Sequence, residues 1–303
     1  MITIVIVFAL SGMDHLAYFR MNRIEKMNNK NITEASSRYS NLEHQPIKRL
    51  LEDINQEDMR VPLAIKGQIP QIEKLVVALV DRIKSGGRLF YLGAGTSGRL
   101  GILDASEIPP TFGAPYDLVI GLIAGGDSAI RKAVESAEDD PEQAWKDMAR
   151  FEPIAKDTVI GIAASGRTPY VIGGVSRARK EGLLTACITN NLDTALAATV
   201  DIPIEVIVGP EFVTGSTRMK SGTSAKLVLN MITTTTLVKL GKVKGNKMVY
   251  MQLTNQKLVG RGSRMIIEET GLEMGEAKRL LLLYGSVSKV LKAWKSINEQ
   301  KEK

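Results

Sequence analysis

Five short runs constrain the fold of this chain more than any other feature: RLFYLG (88–93), DLVIGLIAG (117–125), DTVIGIAAS (157–165), LLTACITN (183–190) and IPIEVIVG (202–209). Each is apolar almost without interruption, and each precedes a stretch of helical character. A strand with one face in water alternates apolar and polar residues, whereas a strand buried on both faces does not. Runs of the second kind, alternating with helices, specify an α/β class fold: a doubly wound, mainly parallel sheet. The expected helices follow the first run as far as IPP (108–110), then cover SAIRKAVESAEDD, PEQAWKDMARF, PYVIGGVSRARKEG and the long STRMKSGTSAKLVLNMITTTTLVKL.

The flanks add helices without strands. IKRLLEDINQED places Ile47, Leu50, Leu51 and Ile54 on one face, and QIEKLVVALVDRIKSGG ends at Gly86-Gly87, with Pro62 and Pro70 punctuating the stretch between. Towards the other end, RMIIEETGLEMGEAKRLLLLYGSVSKVLKAWKSI reads as short helices of a small bundle, with Trp294 packed among them. Residues 27–45 are polar and aperiodic, which is the pattern of an extended arm. ITIVIVFAL (2–10) is too short to span a bilayer and lacks the preceding basic residues of a secretory signal. With Met21 and Met27 as later starts, residues 1–26 are expected to be a disordered extension or an upstream mis-start. The expected division is therefore an extension and arm (1–45), a helical region (46–78), the sheet domain (79–242) and a C-terminal helical region (250–303).

Composition narrows the chemistry. Aromatic residues make up only 5% of the chain, too few for base-stacking surfaces, so the net charge of +7 points to an anionic small molecule rather than nucleic acid. A single cysteine, Cys187, excludes an intrachain disulfide, fits a reducing, cytoplasmic setting and is expected in the core. With only His15 and His44, both before the sheet, a zinc centre or a Ser–His–Asp triad is hard to build. Acid–base chemistry then falls to carboxylates, Lys or Tyr.

The first strand runs into GAGTSG, a G-x-G-x-x-G. A dinucleotide turn also needs a long following helix and an acidic residue about 20 positions on. Here Pro109-Pro110 is expected to cut the helix, and Asp127 comes about 30 residues past Gly98. The loop also carries the hydroxyls of Thr96 and Ser97. The third strand repeats the device: Ser165, Gly166, Arg167 and Thr168 stand where Ser97, Gly98 and Arg99 stand in the first. Helix N-termini with free N–H groups and hydroxyls bind phosphate. Two in one sheet point to a monophosphate with a polar body, the alternative being two ordinary capped turns.

These two junctions resemble the sugar isomerase (SIS) domain, which binds phosphosugars. LGAGTSGRLGILDASEIPPTFG, GLIAGGDSAIRKAVESAEDD, GIAASGRTPYVIGG and GPEFVTGSTRMKSGTSAKLVLNM resemble, in order and spacing, the N-acetylmuramic acid 6-phosphate etherase family, from about Ile32 to near Lys292. The resemblance implies an SIS-type fold with helical additions at both ends. It also implies cleavage of the lactyl ether at C3 by elimination and water addition, with no metal and no redox cofactor. The implied acid–base pair is Glu107, as proton donor to lactate, and Glu138; partial burial is expected to raise their pKa values. For the phosphosugar it implies Thr96, Ser97, Gly98, Ser165, Gly166, Thr168 and Ser216, with Thr217, Arg218 and Lys220 opening the long helix. Arg99 and Arg167 are left between supplying charge, capping their own turns and bridging subunits, and Lys226 is expected on the helix surface. The implied partners are a phosphorylated amino sugar and a second copy in a homodimer, with no nucleic acid and no membrane. A non-catalytic phosphosugar-binding regulator and a phosphosugar isomerase are the competing functions.

Overall fold

The computed structural model describes residues 31–301, so the expectation for residues 1–26 lies outside them. Five strands, β1 (Leu89–Gly93), β2 (Val119–Ile123), β3 (Thr158–Ile162), β4 (Leu184–Thr189) and β5 (Ile202–Glu205), form one sheet in the order β2-β1-β3-β4-β5. Every pairing is parallel, with Leu89 opposite both Val119 and Thr158. The apolar runs are therefore central strands of a doubly wound sheet.

Side chains leave these strands alternately to two apolar layers. Leu89 and Tyr91 of β1, with Ile160, Ile162, Ala186, Ile188, Ile202 and Ile204, face one core. That core is closed by α2 (Arg60–Lys66), α3 (Ile69–Lys84), α4 (Gly95–Phe112) and α9 (Lys220–Lys239), while α1 (Ile47–Asp58) precedes them. Phe90 and Leu92, with Ile120, Val159 and Cys187, face the other. It is covered by α6 (Gln143–Ala149), α7 (Pro169–Lys180) and α8 (Ala195–Thr199). Burial pushes the Cys187 thiol up to about 12, so the lone cysteine is an inert core residue.

The last helices, α10 (Gln256–Thr270), α11 (Met274–Tyr284) and α12 (Val287–Lys301), enclose their own core of Val259, Ile266, Ala277, Leu281, Val287 and Val290. This unit joins the sheet domain where Gln252 N–H donates to the Pro110 carbonyl (3.1 Å) and Lys242 lies over the Tyr250 ring. Among the described residues no helix is long and apolar enough to cross a membrane.

Three local expectations are corrected. First, Pro109-Pro110 does not cut α4, which continues to Phe112 and ends at Gly113 in the left-handed region. The two missing N–H donors are outweighed by burial of Ile108, Pro109 and Phe112 against the sheet. Second, SAIRKAVESAEDD is not one helix: only α5 (Ser128–Arg131) forms, and residues 132–140 have no regular structure. These residues are almost all exposed, and a helix there has no apolar stripe to bury. Third, the arm, described from Asn31 on, is extended but not free: it forms 3-10 turns at Ile32–Glu34 and Leu42–His44 and is packed down, with Thr33 fully buried.

Gly98 lets α4 start against the sheet. A Cβ there would lie 2.5 Å from Ile123 Cγ1 and 2.8 Å from the Gly93 carbonyl oxygen. Gly98→Val is expected to destabilise the fold by about 2 kcal/mol or more through overpacking. Gly260→Ala, in open space on α10, is expected to be neutral or slightly stabilising. Thermal unfolding of the two variants compares them directly.

Candidate functional site

The sheet order makes a crevice. From β1 the chain crosses to β2 on one side, and from β3 it crosses to β4 on the other, so β1 and β3 are neighbours whose connections diverge. Ligands of open α/β sheets bind at such a switch point, outside the carboxyl ends of the strands. The first Ser-Gly-Arg falls in the opening turns of α4, directly after β1, and the second in the turn between β3 and α7; the last residues of the two strands, Gly93 and Ile162, are direct partners.

Neither helix start is sealed by its own side chains. The N-cap positions of α4 (Ala94) and α7 (Thr168) make no side-chain cap, so the alternative of ordinary capped turns is set aside. The Ser165 hydroxyl instead accepts from Arg167 N–H (3.2 Å), shaping the loop. Gly166 takes φ 66°, and a Cβ there would meet Thr194 at 2.4 Å, so only glycine fits this turn. Thr96, Ser97, Ser165 and Thr168 are half-buried around the crevice. α9 closes one side: a Cβ on its Gly222 would lie 3.4 Å from Thr96 Cγ2 and 3.5 Å from the Thr217 carbonyl oxygen. Ser216 and Thr217 thereby stand beside the first loop.

A cleft of about 230 Å³ lies beside the start of α4, on the β2 side of β1, lined by Gly95, Arg99, Ala129, Val134, Glu135 and Glu138. The Glu138 carbonyl accepts from Tyr170 N–H (2.9 Å) in the first turn of α7, which ties this residue to the second loop. The structure thus gathers Thr96, Ser97, Gly98, Ser165, Gly166, Thr168, Ser216 and Glu138. It does not bring Glu107 to them. Glu107 lies twelve residues after Gly95 on α4, about 18 Å along the helix axis at 1.5 Å per residue. Both carboxylates are exposed in the single chain, against the expectation of partial burial, because each stands on an outer face. Two apolar grooves, of about 410 and 570 Å³, are roomier than the cleft. They are lined by α2, α3 and α9 and touch neither loop, so volume alone would misplace the site.

Three basic residues are redirected. Arg99 Nε and Nη2 donate to the carbonyls of Ile130 and Ala129, both at 2.8 Å, so its charge serves neither its own turn nor the crevice. Arg167 donates to Asn31 Oδ1 on the arm. Lys220 does not line the site: it is 1% exposed and paired with Glu57, itself 2% exposed. Lys226 is on the surface as expected.

The sequence left three other polar residues unmarked. Glu211, fully buried, accepts from the N–H groups of Lys220 (3.0 Å) and Ser221 (2.9 Å), capping α9 from nine residues upstream. Asn191 Nδ2 donates to Thr33 Oγ1 (2.9 Å) and to the Ser165 carbonyl (3.3 Å), so the arm and the second loop share one buried amide. Ser37 Oγ donates to the Phe212 carbonyl (2.7 Å), fastening the arm to the loop before α9. None carries a local sequence signal, since no partner lies within a helical turn of it along the chain.

The profile of the glucokinase regulatory protein N-terminal SIS domain matches residues 71–179. N-acetylmuramic acid 6-phosphate etherase of Bacteroides fragilis is 61% identical over 265 residues, spanning 88% of this chain and 94% of the relative. That of Christiangramia forsetii is 60% identical over 264 residues, spanning 87% and 96%. This chain belongs to the N-acetylmuramic acid 6-phosphate etherase family. Among solved structures, phosphoheptose isomerase from Neisseria gonorrhoeae is similar at 17% identity and a TM-score of 0.48, over 65% of this chain and 98% of that one.

Glu57 is the charge on which the α9 start rests. Burial pushes its carboxyl up, but the Lys220 ammonium, Arg60 and Arg38 outweigh this and hold it below the ordinary value. A carboxyl depressed on folding stabilises the fold above its unfolded pKa, and that contribution is lost as pH falls through the folded value. Glu57→Gln is expected to cost about 3 kcal/mol at neutral pH by leaving Lys220 buried and unpaired. It should also flatten the acid side of the stability–pH curve below about pH 4, as read by urea unfolding across pH.

Proposed function

We propose that this chain cleaves the D-lactyl ether of N-acetylmuramic acid 6-phosphate, giving N-acetylglucosamine 6-phosphate and D-lactate. It acts as a carbon–oxygen lyase of the hydro-lyase class in cytoplasmic recycling of cell-wall amino sugars. The observation that carries this reading is the pair of uncapped helix starts at the switch point with Glu138 in the adjoining cleft. The N–H groups at the start of α4 and the hydroxyls of Thr96, Ser97, Ser165 and Thr168 suit the 6-phosphate, while at the start of α7 Pro169 has no N–H and Tyr170 N–H is taken by the Glu138 carbonyl; Ser216 extends the polar wall. The 61% identity to an etherase across most of both chains supports the reaction.

An alkoxide leaves poorly, so direct displacement of lactate is slow. In the ring-opened sugar the C2 hydrogen is acidified by the C1 aldehyde. A carboxylate base takes that proton, the C2=C3 bond forms and the C3–O bond breaks as an acid protonates the departing lactate oxygen. Water then adds its oxygen to C3, and C2 regains a proton. Glu107 is the proton donor to lactate, and Glu138 the second acid–base group, taking the C2 proton or activating the water. Retention of both carboxylates disfavours a silent phosphosugar-binding regulator.

The distance along α4 favours Glu107 acting at the loops of a partner protomer. Leu103, one turn earlier on the same face, is 50% exposed. Asp104 beside it accepts from Asn230 Nδ2 (2.9 Å), and Asn230 also lines the apolar groove with Ile65, Ile69, Leu227 and Met231. A second copy covering this groove in a homodimer would carry one chain's Glu107 towards the other's loops.

In deuterated water the wild type should release D-lactate and leave deuterium at C2 of the sugar. Glu107→Gln and Glu138→Gln should each slow release by about 100-fold or more. Lactate release without C2 deuterium would sink the elimination. Dimers reconstituted from equal amounts of the two variants should recover about a quarter of wild-type activity, since half are mixed and each of those has one intact site. No recovery would place both carboxylates in one chain's site.

A further inference from the structure

We propose that Arg99 is a positioning residue that fixes the segment carrying Glu138 over the cleft, rather than a ligand of the sugar phosphate. This rests on the assignment of Glu138 given above. Arg99, the fifth residue of α4, opens its second turn just beyond the residues that would bind phosphate, and is half-buried at the cleft wall. A phosphate-binding arginine keeps its planar fork free for the ligand. Here two arms of the fork, Nε and Nη2, are committed at 2.8 Å to consecutive carbonyls, Ile130 and Ala129. Those carbonyls close α5, a single turn whose last oxygens have no helical partner.

The chain beyond α5 gives this brace its role. Residues 132–140 are irregular, almost entirely exposed, and contain Ser136 in the left-handed region at φ 58°. Left alone, such a segment orders nothing. Arg99 holds it just before its start, and Tyr170 N–H holds the Glu138 carbonyl near its end (2.9 Å). One anchor belongs to the helix after the first loop and the other to the helix after the second. Glu138 is thereby indexed to the same two helix starts that would hold the phosphate, and the distance from phosphate to acid–base group is set by the protein.

The test combines turnover, product affinity and a double mutant. Arg99→Met should lower kcat at least tenfold while the Kd for N-acetylglucosamine 6-phosphate stays within about threefold. Arg99→Lys, which keeps one donor, should fall between. Arg99→Met combined with Glu138→Gln should turn over no more slowly than Glu138→Gln alone, because the two act through one group. Amide hydrogen exchange across residues 132–138 should quicken in Arg99→Met. The proposal is overturned if Arg99→Met keeps kcat but weakens N-acetylglucosamine 6-phosphate and inorganic phosphate tenfold or more, which would make Arg99 a phosphate ligand. It is equally overturned by additive losses in the double mutant. If Glu138→Gln itself keeps wild-type turnover, the assignment of Glu138 fails first, and that result is distinct from either.

Discussion

The pairing of β1 with β3 is the constraint that creates the site. Leu89–Gly93 and Thr158–Ile162 lie side by side and in parallel, although the whole β2 excursion separates them along the chain. Parallel neighbours end at the same edge of the sheet, so the two turns that leave them must open side by side. Their connections then diverge, β1 towards β2 and β3 towards β4, so no helix passes over the gap between them. Gly98 and Gly166 serve this arrangement differently: one removes a Cβ so that α4 can start against Ile123, and the other supplies a positive φ against Thr194. A crevice between two backbone turns thus arises from strand order, before any charged side chain is considered.

Charge is used mainly to hold the third wall. The α9 start carries Gly222 against Thr96, and its position depends on groups buried beneath it. Glu211 caps its first N–H groups, and Lys220 pairs with Glu57 on α1. A buried ion pair is weak evidence for net stability, since desolvation offsets much of its attraction, but it specifies geometry because either partner alone is costly. The arm works in the same sense through neutral groups, with Asn191 joining Thr33 to the Ser165 carbonyl. Basic residues near the crevice are thus engaged by carbonyls and side chains of the protein, which leaves N–H groups and hydroxyls facing it.

This division explains what was legible in the sequence. The strands were readable because burial on both faces leaves an unbroken apolar run, and Phe90, Leu92, Ile160 and Ile188 all prove to be core. The repeated Ser-Gly-Arg stood out because the same three residues recur after two strands that prove to be parallel neighbours. Lys220 misled, since its partner Glu57 is 163 residues away and nothing local marks a lysine as buried. The role of Arg99 was left open for the same reason, its acceptors being backbone carbonyls that any sequence has. Pro109-Pro110 misled because propensity is local, whereas the burial of Ile108 and Phe112 that carries α4 past them is tertiary. Residues 132–140 misled in the opposite direction, with helix-forming composition and no surface to pack on.

The two proposed acid–base groups are held in contrasting ways, and the contrast suits a two-stage reaction. Glu107 rides on an 18-residue helix fixed by Gly113 at one end and by the sheet along its length. Its partner on the other side of the sugar, Glu138, sits on an irregular segment tied at two points. Protonating a departing oxygen requires a group whose position relative to C3 does not drift, because the C3–O bond breaks only while the acid is in line. The second group has more to accommodate, because C2 loses a proton, changes from tetrahedral to planar and then becomes tetrahedral again. A carboxylate anchored through its backbone and through a neighbouring turn, but not packed on all sides, can track that change within a fixed radius. In the proposed reaction the rigid helix would hold the leaving group and the tethered segment would track the carbon centre.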